Sequence, residues 1–147
     1  MAKKSFTLIE LMVALAILAM IVGVSAPFLI SFNNNQELDG VAEELVSILR
    51  KAQEKSMIAE NDCLWGIDFS QSGKYILFNE PSGLIIPIKE EYTLPKNIVL
   101  SSNQNILKFT KLEGRINQAL EVILTGMNKK YKININLEGV VDYHKID

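Results

Sequence analysis

Apolar and polar positions follow three regimes along this chain. From Phe6 to Phe32 the residues read FTLIELMVALAILAMIVGVSAPFLISF, apolar almost throughout, with Glu10 as the one charge. Leu11 to Ile30 are twenty residues without a charge. As a helix they would cover roughly 30 Å, the hydrocarbon thickness of a bilayer. From Leu38 the apolar residues instead recur every three or four positions: Leu38, Val41, Ala42, Leu45, Ile48, Leu49, Ala52, Ser56 and Ala59. Glu37, Asp39, Glu43, Glu44, Arg50, Lys51 and Glu54 fall mostly off that stripe, so the pattern predicts an amphipathic helix ending at Asn61-Asp62. Ser31 to Gln36, between the two regimes, reads equally as a loop or as the point where one long helix leaves the membrane. Within the first regime, Gly23 and Pro27 weaken a helix, because Pro27 lacks a backbone donor and crowds the carbonyl four residues back. A bend or soft segment is expected there.

Beyond Asn61 the period shortens to two. Cys63–Phe69 and Lys74–Phe78, joined by Ser70-Gln71-Ser72-Gly73, predict a hairpin. Glu80-Pro81-Ser82-Gly83 is a turn signal, and Leu84–Ile88 contains Pro87 and so reads as an edge strand or extended link. Tyr92–Leu100 is extended around Pro95, while Leu107–Thr110 and Leu120–Thr125 alternate as half-buried strands. Lys130–Leu137 alternates most regularly, and Glu138-Gly139 turns it into Val140–Tyr143, the clearest antiparallel pair of the chain. The fold class expected is α+β: a long N-terminal helix, apolar in its first half and amphipathic in its second, packed on an antiparallel sheet domain.

Charge and cysteine content narrow the picture modestly. The net charge of −2 gives no general attraction to nucleic acid or anionic lipid. A single cysteine, Cys63, forbids an intrachain disulfide and reads as a small buried apolar residue, with an intermolecular bridge as the sharper alternative. His144 is the one histidine, and neither a nucleophile motif nor a phosphate-cradling glycine loop is present. The chain is therefore not read as an enzyme, and no cofactor or metal is expected.

Glu10 carries the sharpest question. An ionisable group in a membrane span costs about 2.5–3.5 kcal/mol or more unless partnered, and marks function by default. A secretory signal peptide has a shorter apolar core and a cleavage site that Pro27 would hinder here, a plain signal anchor leaves Glu10 unexplained, and a fully buried soluble helix needs a larger domain than 147 residues supply. Lys3 and Lys4 before the run place the N-terminus in the cytoplasm and the rest of the chain across the inner membrane.

Lys3-Lys4-Ser5 followed by Phe6-Thr7-Leu8-Ile9-Glu10 resembles the start of type IV prepilins and type II secretion pseudopilins. The resemblance implies cleavage by a prepilin peptidase between Ser5 and Phe6, N-methylation of Phe6, and an assembly role for Glu10. Ser5 departs from the glycine usual before the cut. Removal of Lys3 and Lys4 would leave a net side-chain charge of −4 from 13 basic and 17 acidic residues. The resemblance also implies loss of helix near Gly23 and Pro27 when subunits pack into a filament. It divides the chain into a leader (1–5), a transmembrane and filament-core helix (6–32), an amphipathic helix (33–60) and an exported β domain (61–147). The implied partners are the peptidase, other pilin or pseudopilin subunits, an inner-membrane assembly platform, and membrane lipid before assembly into a filament in the periplasm or at the cell surface.

The second half, with its helix end KAQEKSMIAEN, LPKNIVL, LKFTKLEGR and closing YKININLEGVV, looks like the H-type minor pseudopilin and FimT-like group. That favours a minor filament subunit. The alternative is a filament-tip module for DNA or a secreted substrate. DNA is not favoured, because the end after Gly139 carries one Lys against two Asp, and Lys129, Lys130 and Lys132 read as a solvated face.

Overall fold

The computed structural model describes residues 7–80 and 88–146, with the side chains of 24–28 and 30 excepted. Helix α1 (Leu8–Met57) contributes to both of two compact units, Met1–Asn33 and Asn34–Asp147. In the first unit, the described apolar side chains from Leu8 to Val22 are exposed, Leu8 at 76% and Met20 at 72%. The helix assignment includes Ser31–Gln36, so no loop separates the two hydrophobic regimes. It also includes Gly23 and Pro27. Among the described residues no helix is long and apolar enough to cross a membrane.

The second unit holds the core. Leu38, Val41, Ala42, Leu45, Ile48, Leu49, Ala52 and Ser56 are all buried, as the three-four spacing predicts, and Val46 joins them. The helix ends earlier than its apolar stripe suggests. Ala59 turns left-handed (φ 50°) and a separate 3-10 turn covers Glu60–Asp62. The Ser56 carbonyl accepts from the amides of Ala59 (3.1 Å) and Leu112 (3.0 Å), which ties the helix end to a distant loop.

The sheet expected from the pattern is two sheets. Strands β1 (Leu64–Asp68), β2 (Lys74–Glu80), β3 (Lys89–Thr93) and β5 (Ile106–Lys108) form one in the order β3-β2-β1-β5. Strands β4 (Val99–Ser102), β6 (Leu120–Thr125), β7 (Lys130–Ile135) and β8 (Val141–Ile146) form the other in the order β4-β6-β7-β8. All pairings are antiparallel, and the predicted β1/β2 and β7/β8 hairpins form, with Ile67 opposite Leu77 and Ile133 opposite Tyr143. Between β5 and β6 along the chain, Phe109 bridges Ile116. Inward side chains of both sheets join the helix stripe in one cluster that includes Trp65, Ile67, Leu77, Val122, Leu124 and Ile133. The architecture is thus α+β, with the helix packed on two antiparallel sheets.

Strand β3 is the element the pattern misses. Its sequence, KEEYT, alternates only in the sense that Glu90 and Tyr92 are half-buried while Lys89, Glu91 and Thr93 are exposed. Glu90 accepts from Lys51 on the helix (2.8 Å) and from the Tyr92 hydroxyl (2.7 Å), so a carboxylate takes an inward position because it arrives with its partners. The expected strand Leu84–Ile88 lies outside the described residues except for Ile88, whose amide donates to the side-chain oxygen of buried Asn79.

Candidate functional site

Thr7 stands immediately before α1 and Glu10 in its first turn. The two form a reciprocal cap. Glu10 Oε2 accepts from the Thr7 amide (2.9 Å) and the Thr7 hydroxyl (2.8 Å), and the Glu10 amide donates back to Thr7 Oγ1 (3.3 Å). This is the Thr-x-x-Glu capping box, which satisfies amides that a helix start otherwise leaves bare. The pattern is legible in the sequence as Thr7-Leu8-Ile9-Glu10, yet Thr7 does not stand out until its hydroxyl is seen on the carboxylate. Around the box the surface is apolar, with Leu8, Ile9, Leu11 and Met12 all more than half exposed. Ser5 and Phe6 lie outside the described residues. Gly23 has open space where a side chain would project.

The second unit offers little chemistry. Among the described residues no three metal-ligating side chains gather. Cys63 is fully buried, with Asn79 Nδ2 3.5 Å from its sulfur, so an intermolecular bridge through it would require unfolding. His144 is exposed on β8. An open groove of about 480 Å³ beside the helix is lined by Glu43, Arg50, Lys51, Glu54 and Tyr143, two acidic and two basic groups that select neither anion nor cation.

The lysines read as a solvated face are mostly engaged. Lys132 pairs with Glu121 (2.8 Å), and Lys129 reaches Asp39 on the helix (3.1 Å), which also accepts from the Tyr131 hydroxyl (3.0 Å). Of the three, Lys130 alone is exposed rather than half-buried, so the strand presents no basic stripe.

Two loops noted separately in the sequence meet at the helix. Gln53 Nε2 donates to the Gly114 carbonyl (3.0 Å), and a Cβ on Gly139 would stand 2.2 Å from that carbonyl oxygen and 2.3 Å from Gln53 Nε2. Both glycines have positive φ, 65° and 82°. Gln53 carries no signal of this role in one sequence, since the meeting depends on chain segments far apart.

Residues 1–26 match the family model described as the prokaryotic N-terminal methylation motif. No curated protein and no solved structure matches the chain significantly. The motif supports a type IV pilin-like or pseudopilin precursor, processed by a prepilin peptidase and assembled with other pilins. A long N-terminal helix packed on antiparallel sheets is the arrangement of pilins.

Proposed function

We propose that this chain is a minor subunit of a type IV pilus-like or type II secretion filament, nearest in kind to the H-type minor pseudopilins. The observation that carries the reading is the methylation motif over residues 1–26, placed at the head of a long helix whose first half is uncovered apolar surface. In this reading residues 1–5 are a cytoplasmic leader and 6–32 span the inner membrane. Residues 33–60 are the amphipathic half of the helix, and 61–147 complete the exported domain. The peptidase cuts between Ser5 and Phe6, and Phe6 is then N-methylated.

The cut leaves an ammonium at Phe6. Glu10 of a neighbour offers the matching charge. Inside an apolar bundle such a pair is attractive, and either charge alone is costly. Thr7 supports this role by satisfying one oxygen of Glu10 while the chain is still in lipid. Gly23 and Pro27 mark where the helix can soften as the subunit leaves the membrane.

The test is intact mass and N-terminal peptide mass of the chain made with and without its cognate peptidase. Loss of Met1 to Ser5 with one methyl on Phe6 is the expected result; a membrane-resident chain that stays uncut overturns the reading. Glu10→Gln is expected to leave insertion and folding intact and to lower filament incorporation by at least about tenfold, the cost of leaving one charge of the pair alone. Normal incorporation of that variant removes the pairing role.

A further inference from the structure

The second unit begins at Asn34, and two loops of the β domain are fastened to that first turn of it. From the β6–β7 turn, the Met127 sulfur accepts from Asn34 Nδ2 (3.0 Å), and Gly126 lies against Leu38. From the loop before β4, Asn97 Nδ2 donates to Asn34 Oδ1 (3.3 Å) and to Glu37 Oε2 (2.8 Å). Lys130 stands opposite Thr125, beside the same β6–β7 turn.

These segments turn a particular set of side chains outward. Met127 is 69% exposed, and Lys96 and Lys130 are exposed with it. The neighbouring acidic residues are held, Glu37 by Asn97, and Asp39 by Lys129 (3.1 Å) and the Tyr131 hydroxyl (3.0 Å). Among the described residues no ion pair takes Lys96 or Lys130. An exposed apolar side chain flanked by uncommitted lysines suits the headgroup layer of a bilayer, with the apolar group at the acyl boundary and the ammonium groups on phosphate.

Chain length fixes what this end of the domain meets. The uncharged run closes at Ile30, four residues before Asn34, and α1 includes both. Four helical residues rise about 6 Å. The headgroup layer outside the hydrocarbon is about 5–8 Å thick. With 6–32 in the bilayer, Asn34 and the loops bonded to it therefore fall in that layer. We propose that Met127, Lys96 and Lys130 form a membrane-surface contact for phospholipid headgroups, the lysines on phosphates and Met127 towards the acyl chains. The contact seats the β domain on the membrane before the subunit enters a filament. The inference rests on the membrane-spanning part of the filament reading.

The test uses the full-length chain in vesicles of phosphatidylethanolamine and phosphatidylglycerol, with a fluorophore on Asn128→Cys or on Glu113→Cys. Cys63 is fully buried, so only the introduced thiol takes the label. Both labelled positions are exposed. Glu113 follows Leu112, whose amide donates to the Ser56 carbonyl, 22 residues and about 33 Å along α1 from Asn34. Lipids carrying a quencher at the headgroup should quench the label at 128 and leave that at 113 bright. Lys96→Gln with Lys130→Gln should lower the quenching at 128 at least about twofold, because each lysine near a lipid surface is worth about fivefold in occupancy. In a chain that resists carbonate extraction, quenching at 128 no greater than at 113, or unmoved by the double substitution, overturns the contact alone. A chain that carbonate extracts overturns the spanning reading and this inference with it.

Discussion

Gly139 occupies a position that no other residue can take without displacing its neighbours. Its φ of 82° disfavours any side chain, and a Cβ would overlap both the Gly114 carbonyl and the Gln53 amide. Left-handed strain alone costs roughly 1–2 kcal/mol, and the overlap adds to it. Gly139→Ala should therefore lower stability by about 2–4 kcal/mol, read as a reduced urea midpoint with an unchanged slope. The turn at Glu138-Gly139 is legible in the sequence because glycine between two alternating runs signals it locally. That Gly139 also abuts Gly114 is not legible, since nothing local to either glycine refers to the other. Glu10 is the converse case: a charge inside an apolar run is conspicuous without any structure, and the structure adds Thr7 as its immediate partner.

At the scale of elements, the strands with regular alternation were readable and those held by polar partners were not. Strands β6 and β7 alternate because one face meets the core, and β8 follows from the turn that precedes it. β3 escapes detection because its inward residues are Glu90 and Tyr92, and only Lys51 from the helix makes that placement tolerable. The pairing titrates in a definite sense. The hydrogen bond from Lys51, then that from Tyr92, lowers the Glu90 carboxyl below its ordinary value, and the bond to Glu90 raises Lys51.

A lowered carboxyl contributes stability that is present above its unfolded value, about 4.3, and is lost as pH falls through its folded one. A raised lysine contributes stability that is present below about 10.4 and is lost as pH climbs through its folded value. The tie of β3 to the helix should thus be fully in force from about pH 5 to pH 10. Both side chains are more than a third exposed, so screening holds the gain to about 0.5 kcal/mol. Comparing Glu90→Gln with the parent in denaturant titrations at pH 7 and pH 3 checks this. The difference should be present at pH 7, smaller at pH 3, and reduced in high salt.

For the whole molecule, the division at Asn33 and Asn34 separates two different physical problems. Every residue of the core cluster lies between Leu38 and Ile135, inside the second unit. Residues 34–147 made alone should therefore fold cooperatively, with coincident transitions by circular dichroism and by Trp65 fluorescence. Trp65, 1% exposed and with the Lys55 ammonium 4.3 Å from its ring, reports on the junction of helix and sheet. Non-coincident or non-cooperative unfolding would mean that the apolar half of the helix supplies part of the fold. In the first unit, by contrast, the described apolar side chains are uncovered. In the proposed filament reading their burial comes from lipid or from other subunits, which is why the two units call for different measurements.

What the sequence determined by itself is whatever depends on neighbours a few residues apart. The motif at Phe6–Glu10, the uncharged run, the amphipathic stripe from Leu38 to Ser56 and the β7/β8 hairpin all rest on helical or strand period and on turn chemistry, which are local properties. The tertiary structure decided what depends on segments that meet only after folding. It divided the strands between two sheets, drew Gly114 and Gly139 onto Gln53, turned Glu90 inward to Lys51, and tied the Leu112 amide to the Ser56 carbonyl at the helix end. The energies behind these choices belong to pairs of residues far apart in the chain, and no single stretch of sequence contains both members of such a pair.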